Sequence, residues 1–202
     1  MWTPSEKKFL KSLNTPDKIQ TYLNSLVYNP VDDATSVRYV LMTNDAHCLE
    51  GGFVAAAALE LLGYPPLMVS LQAEQDDHHV ITVYKGKYGW GSLSKSNTSL
   101  LKGRDPVYRD IRELVMSYFD FYFNLKGQKA LYAYSNPINL NRFRHFNWRT
   151  GDDNLVGLGY AMNEITHYEI MALADLKKLP RAARVVQDAC FLGANPDGLF
   201  RP

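Results

Sequence analysis

A cysteine at the start of an apolar run and a histidine at the start of a strand-like run are the residues best suited to chemistry in this chain. Cys48 is followed by Leu49-Glu50-Gly51-Gly52-Phe53-Val54, four alanines and Leu59-Glu60-Leu61-Leu62. That run predicts a helix with almost no polar face, ended by Gly63, and a helix apolar all round belongs inside a protein. A thiol at its N-terminal end lies where free backbone N–H groups and the helix dipole favour the thiolate. His79 opens a predicted strand, after the polar Gln75-Asp76-Asp77 and its neighbour His78. A thiolate and an imidazole brought together make a nucleophile and its base, and a third group accepting from the far ring nitrogen orients the base. The chemistry would be acyl transfer. The sulfur attacks an amide or ester carbonyl, the oxyanion meets N–H groups near the helix start, and His79 protonates the leaving group.

Other assignments compete at the same residues. A strand register shifted by one would make His78 the base. His47 precedes Cys48 directly, and adjacent side chains on a helix do not face each other, so it is expected either to line the cleft or to sit at the surface. Trp90 is either a cleft wall over the base or part of the core. His47, Cys48, His78 and His79, with Asp76 or Asp77, have the donor types of a zinc site, but adjacent pairs chelate poorly. No metal and no cofactor is therefore expected. Cys190, beside Phe191 and Leu192, reads as core packing.

Several elements must position these groups. Thr3-Pro4 and Thr15-Pro16 each combine a cap with proline at the first helical position, predicting two short helices before Asn29-Pro30. Val40-Leu41-Met42 fits either a short helix or a turn of strand. The glycines Gly51 and Gly52 weaken a helix, so close packing or backbone contact is expected there. Leu67 to Ala73, His79 to Tyr84 and Tyr88 to Leu93 predict three strands of an antiparallel meander. In the second, Val80, Thr82 and Tyr84 share one face and His79, Ile81 and Val83 the other. Asp105-Pro106 predicts a capped helix running to about Asn124. Leu131 to Tyr134 fits a strand or a turn, Phe146 to Ala174 an interrupted helical stretch, and Arg181 to Leu192 a last short helix.

The chain has 202 residues, of which 46% are apolar and 21% charged, with a net charge of +1. One α+β domain over residues 1–202 is the expectation, large enough to bury a core without disulfide help. The near-neutral balance leaves no electrostatic footprint for nucleic acid or an anionic membrane. The longest apolar stretch, Phe53 to Leu62, is far below the roughly twenty residues a membrane span needs. Met1-Trp2-Thr3-Pro4-Ser5-Glu6-Lys7-Lys8 lacks a signal-peptide layout, and with two cysteines outside any Cys-x-x-Cys spacing the expected setting is the reducing cytoplasm. Aromatic residues fall on all sides of Tyr118 to Phe123, which makes a dimer conceivable.

Cys48 to Pro65, the His79 strand and the Gly89-Trp90 strand together resemble the transglutaminase-like superfamily of papain-like thiol enzymes. There a cysteine begins a helix rich in small residues, and that helix ends in glycine, an aliphatic or aromatic residue and proline, matched here by Gly63-Tyr64-Pro65. Gly89 to Asn97 and Arg104 to Tyr108 also resemble a bacterial branch of that superfamily. The resemblance runs from about Asn44 to Ser96 and implies a papain-like core, with the Cys48 helix on a small antiparallel sheet and further helices at both ends. It implies Cys48 as nucleophile, His79 as base, and a peptide, protein or small amide or ester as substrate, split by hydrolysis or passed to an amine. In two places the pattern is broken. The aspartate expected after the Gly-Trp pair is absent, leaving Ser92, Ser94 and Asn97, with Asp76 or Asp77 as substitutes from the loop. Ile81 stands where a tryptophan is frequent. Ser94 and Asn97 are thus the candidates for orienting His79, with His47, His78 and Trp90 expected around the substrate. An inactive binding protein that keeps the fold is the alternative implied by the missing carboxylate.

Overall fold

The computed structural model describes residues 1–201 and is a mixed α+β structure. Its helices are α1 (Pro4–Ser12), α2 (Pro16–Ser25), α3 (Val37–Thr43), α4 (Cys48–Leu61), α5 (Ile111–Phe119), α6 (Val156–Asn163), α7 (Leu173–Leu176) and α8 (Arg184–Phe191). The strands are β1 (Val27–Tyr28), β2 (Asp45–Ala46), β3 (Leu67–Ala73), β4 (His79–Lys85), β5 (Trp90–Leu93), β6 (Arg104–Tyr108), β7 (Leu131–Ser135), β8 (Ile138–Asn139) and β9 (His167–Glu169). Seven of them form one antiparallel sheet in the order β6-β5-β4-β3-β7-β9, with β8 also paired to β3. The expected meander is the middle of that sheet, which is larger than the small one anticipated.

Helix α4 packs on β4 and β3 and is covered by α1, α2 and α3. Every residue from Glu50 to Leu59 is buried, so this helix needs no polar face. The strand alternation holds. Thr82, on the α4 side, donates to the Gly52 carbonyl at 2.8 Å, while Ile81 and Val83 join Leu114, Val115 and Tyr118 in a second core on the other face. The close approach is made possible by the glycine pair. A Cβ on Gly51 would lie 2.3 Å from Lys95 Cβ, and one on Gly52 would lie 2.4 Å from Met68 Cε. Gly63, with φ +89°, follows the C-cap Leu62 in the left-handed conformation that glycine adopts freely.

Three expectations are corrected. Asp105-Pro106 lies in β6, an edge strand, where a proline without an N–H is tolerated. The helix after it begins only at Ile111, where Asp110 accepts from the Glu113 N–H at 2.8 Å, and it ends at Phe119 rather than near Asn124. The stretch from Phe146 to Ala174 is not mainly helical, because it holds β9, which extends the sheet beside β7. The aromatic run after Phe119 is largely internal, with Tyr118, Tyr122 and Phe123 buried. Among the described residues, no helix is long and apolar enough to cross a membrane.

Candidate active site

Cys48 is the first residue of α4, and His47 is its N-cap. The His47 Nδ1 accepts from the Leu49 N–H at 3.1 Å, and its Nε2 lies 3.1 Å from the Asp33 carbonyl. Glu50, three residues on, reaches back to the His47 N–H at 3.0 Å, completing a reciprocal cap. The same carboxylate, 1% exposed, also accepts from the Thr35 N–H at 2.9 Å, the Thr35 hydroxyl at 2.6 Å and the Asn29 amide at 3.3 Å. The parallel pair β1–β2 lays Tyr28 beside Ala46, just ahead of the thiol. One buried carboxylate thus ties together the segments that deliver Cys48 to the end of the sheet.

His79 is at the first position of β4, and its Nε2 shares a 2.8 Å hydrogen bond with Ser94 Oγ, just past the end of β5. The Ser94 backbone is clamped by the Gln20 side chain of α2, which donates to its carbonyl at 2.9 Å and accepts from its N–H at 3.0 Å. The His79 ring meets Tyr122 edge-on at 6.4 Å between centroids. Tyr122 donates its hydroxyl to the Asp77 carbonyl, so His79 and the loop before it share one buried support.

The electrostatics favour a thiolate. Burial pushes the Cys48 thiol up, but side-chain interactions with His47 and His79 outweigh it and bring it down to about 5. Cys190, 1% exposed, is pushed up by burial, so the two thiols differ in kind. Burial lowers the His47 pKa, while the neighbouring sulfur, Glu50 and the Asp33 carbonyl push it up, to about 9. The cap opposes that rise. Nδ1 can accept from Leu49 only while it carries no proton, so charging the ring at fixed geometry breaks a bond that helps hold the helix start. Asp77 in the adjoining loop is raised to about 6, first by burial and then by the charge of Cys48.

The sequence-predicted residues fall into two groups. Cys48, His79, His78 and Asp77 line one small cavity, and His47, Cys48, His78 and Asp77 line a larger one. Ser94 is bonded to His79. His78 Nδ1 accepts from the Ala73 N–H at 3.1 Å, which leaves His79 as the ring bonded to Ser94. Asn97 does not bond to His79. Its amide donates to the Asn195 and Gly198 carbonyls at 2.9 and 2.8 Å, and its oxygen accepts from the Asn195 N–H at 2.8 Å. Trp90 lies away from the thiol, near the β5–β6 pairing, with Lys85 Nζ 5.9 Å from its ring centroid. Among the described residues, no group of three or more His, Cys, Asp or Glu side chains is placed to hold a metal ion. Sequence reading missed Glu50, although His47-x-x-Glu50 has the spacing of a capping box. It also missed Gln20 and the Asn195–Phe200 segment, which carry no local signal. No known family model matches the chain, and no curated protein matches it.

Proposed function

We propose that this protein is a cysteine-dependent acyl-transfer enzyme of the transglutaminase-like kind, acting on an amide or ester, with Cys48 as nucleophile and His79 as base. The observation that carries the reading is a low-pKa thiol at a helix start beside an imidazole whose far nitrogen is held by Ser94 at 2.8 Å. Because Ser94 holds Nε2, the proton exchanged with the sulfur resides on Nδ1. In the first step the Cys48 sulfur forms a bond to the carbonyl carbon, and the oxyanion is met by the Cys48 backbone N–H at the start of α4, since His47 holds the Leu49 N–H. The carbon–leaving-group bond then breaks as His79 gives its proton to the departing atom. In the second step water, deprotonated by His79, adds to the thioester. The C–S bond breaks and the acid is released. An amine in place of water would give transfer.

Ser94 is a neutral partner, and a hydroxyl stabilises an imidazolium less than a carboxylate does. That specific feature favours the second reading, a binding protein with slow or no turnover. A small thioester such as methyl thioacetate separates the two. Release of methanethiol in at least tenfold molar excess over the protein, with an acetyl group found on Cys48 by mass spectrometry and no release by the Cys48→Ala variant, is expected; a single equivalent that stays as acetyl-Cys48 would favour the binding reading. Equal release by parent and Cys48→Ala would remove the enzyme reading.

A further inference from the structure

The two cavities beside the Cys48 sulfur run into one cleft, sharing Tyr28, Cys48, Asp77, His78 and residues 198–200. Its walls are one-sided in charge. Asp76 and Asp77 stand in the smaller part, and Asp32, Asp77 and Asp197 in the larger. Among the described residues no lysine or arginine lines either part, and none pairs with any of these four carboxyl groups. The chain as a whole holds 22 basic and 21 acidic residues, so this is segregation and not a general excess of acid. Elsewhere basic groups do reach carboxylates, as in Arg38–Glu6 at 2.7 Å and Arg149–Glu60 at 2.7 Å.

The positive groups on these walls are imidazoles, and they leave the aspartates unmatched. His47 lies 3.9 Å from the buried Glu50 carboxylate. The sulfur and His79 pass one proton between them and add no net charge. Burial lowers the His78 pKa. Asp77 registers the surplus, being raised to about 6 first by burial and then by the negative charges of Cys48 and Asp32. The cleft is also marked by a group that is not acidic. His79 is 6% exposed, spends Nε2 on Ser94, and among the described residues has no hydrogen-bond partner for Nδ1. A carbonyl brought to that ring and the sulfur sets the groups on both its sides among the aspartates.

Resting on the acyl-transfer reading, we propose that the ester or amide donor is itself a cation, with a guanidinium or ammonium group on a short apolar stem close to the reacting carbonyl. Carboxylates in a cleft with apolar walls focus the field and raise the local concentration of a positive substrate. The stem lies along Tyr28 and Phe200, which line both parts of the cleft, and their rings attract the charged head as well. The cation also offsets the oxyanion, which would otherwise add a charge to a space already negative.

The test uses two pairs of near-isosteric esters on the full chain at low ionic strength, each rate divided by that ester's own rate with hydroxide. Methyl esters of Nα-acetyl-lysine and Nα-acetyl-norleucine place the charge on the acyl side. Acetylcholine and 3,3-dimethylbutyl acetate place it on the alcohol side. The cationic member is expected to have at least tenfold higher kcat/KM in one pair or both. Raising the salt to about 0.5 M should shrink that ratio, and so should the double variant Asp32→Asn, Asp77→Asn, by at least threefold, with the neutral ester as the internal control for folding. Equal rates within both pairs, or a ratio that the double variant leaves unchanged, would overturn the charge selection while the thiol chemistry stands. If none of the four esters acylates Cys48, the acyl-transfer reading fails, and the selection fails with it.

Discussion

The thiolate at Cys48 predicts a reactivity profile that crosses that of an ordinary thiol. The perturbation is pH, from 4 to 9, and the probe is iodoacetamide. With a pKa of about 5 against an ordinary 9.0, Cys48 at pH 6 is about 90% thiolate and the same thiol in the unfolded chain about 0.1%, roughly a 900-fold difference. A low-pKa thiolate is a weaker nucleophile, and four units at a Brønsted slope of 0.4–0.5 offset about 40- to 100-fold of that. The folded chain is therefore expected to alkylate about 10- to 20-fold faster than the unfolded chain at pH 6. By pH 8 the populations differ only about elevenfold, so the order reverses and the unfolded thiol is faster. Partial burial of Cys48 lowers the folded chain's rate by one factor at every pH, so the 10- to 20-fold ratio is an upper value and the pH dependence of the folded rate is the readout. The rate for the folded chain should be nearly flat from pH 6 to 8, where that of the urea-unfolded chain rises about ninetyfold. Peptide mapping assigns the label to Cys48 and not to Cys190. A Cys48 rate that climbs in step with the unfolded chain across this window would refute the claim that two imidazoles hold the thiolate.

Glu50→Ala strands four donors that the buried carboxylate now satisfies and should cost about 3 kcal/mol, a fall in Tm of roughly 6–12 °C by thermal melting, with Glu50→Gln intermediate. An unchanged Tm for Glu50→Ala would show that Asn29, Thr35 and His47 do not depend on it. The adjacent glycines should differ. Gly51→Ala drives a methyl into Lys95 Cβ and is expected to destabilise by about 1–3 kcal/mol, while Gly52→Ala meets the flexible end of Met68 and should cost less. Urea titration of both variants gives the order, and a reversed order would contradict the packing of α4 on the sheet.

Much of the site could be read before any coordinates, because the signals are local. An apolar run ended by Gly63 announces a buried helix, and its first residue is Cys48. Alternation along His79 to Tyr84 sets which residues face the helix, and the contact of Thr82 with Gly52 agrees. The two proline-started N-terminal helices likewise follow from their capping residues, and Thr3 and Thr15 do cap them. Asp105-Pro106 misled because a cap followed by proline is also compatible with an edge strand. The choice was made by pairing with β5, at a distance in sequence that no local pattern encodes. For the same reason β9 was hidden inside a helix-like stretch, since its only support is its pairing with β7.

The choice between Ser94 and Asn97 shows where sequence stops. Both are polar, both follow Trp90, and both can accept from an imidazole. Ser94 meets His79 because Gln20, from a helix far away in the chain, pins its backbone, while Asn97 is drawn off by the Asn195–Phe200 segment. By itself the sequence determined which reactive side chains are present and, through short-range periodicity, the helix and strand that carry Cys48 and His79. Only the tertiary structure decided which polar group meets His79, because that depends on contacts between segments that periodicity cannot bring together.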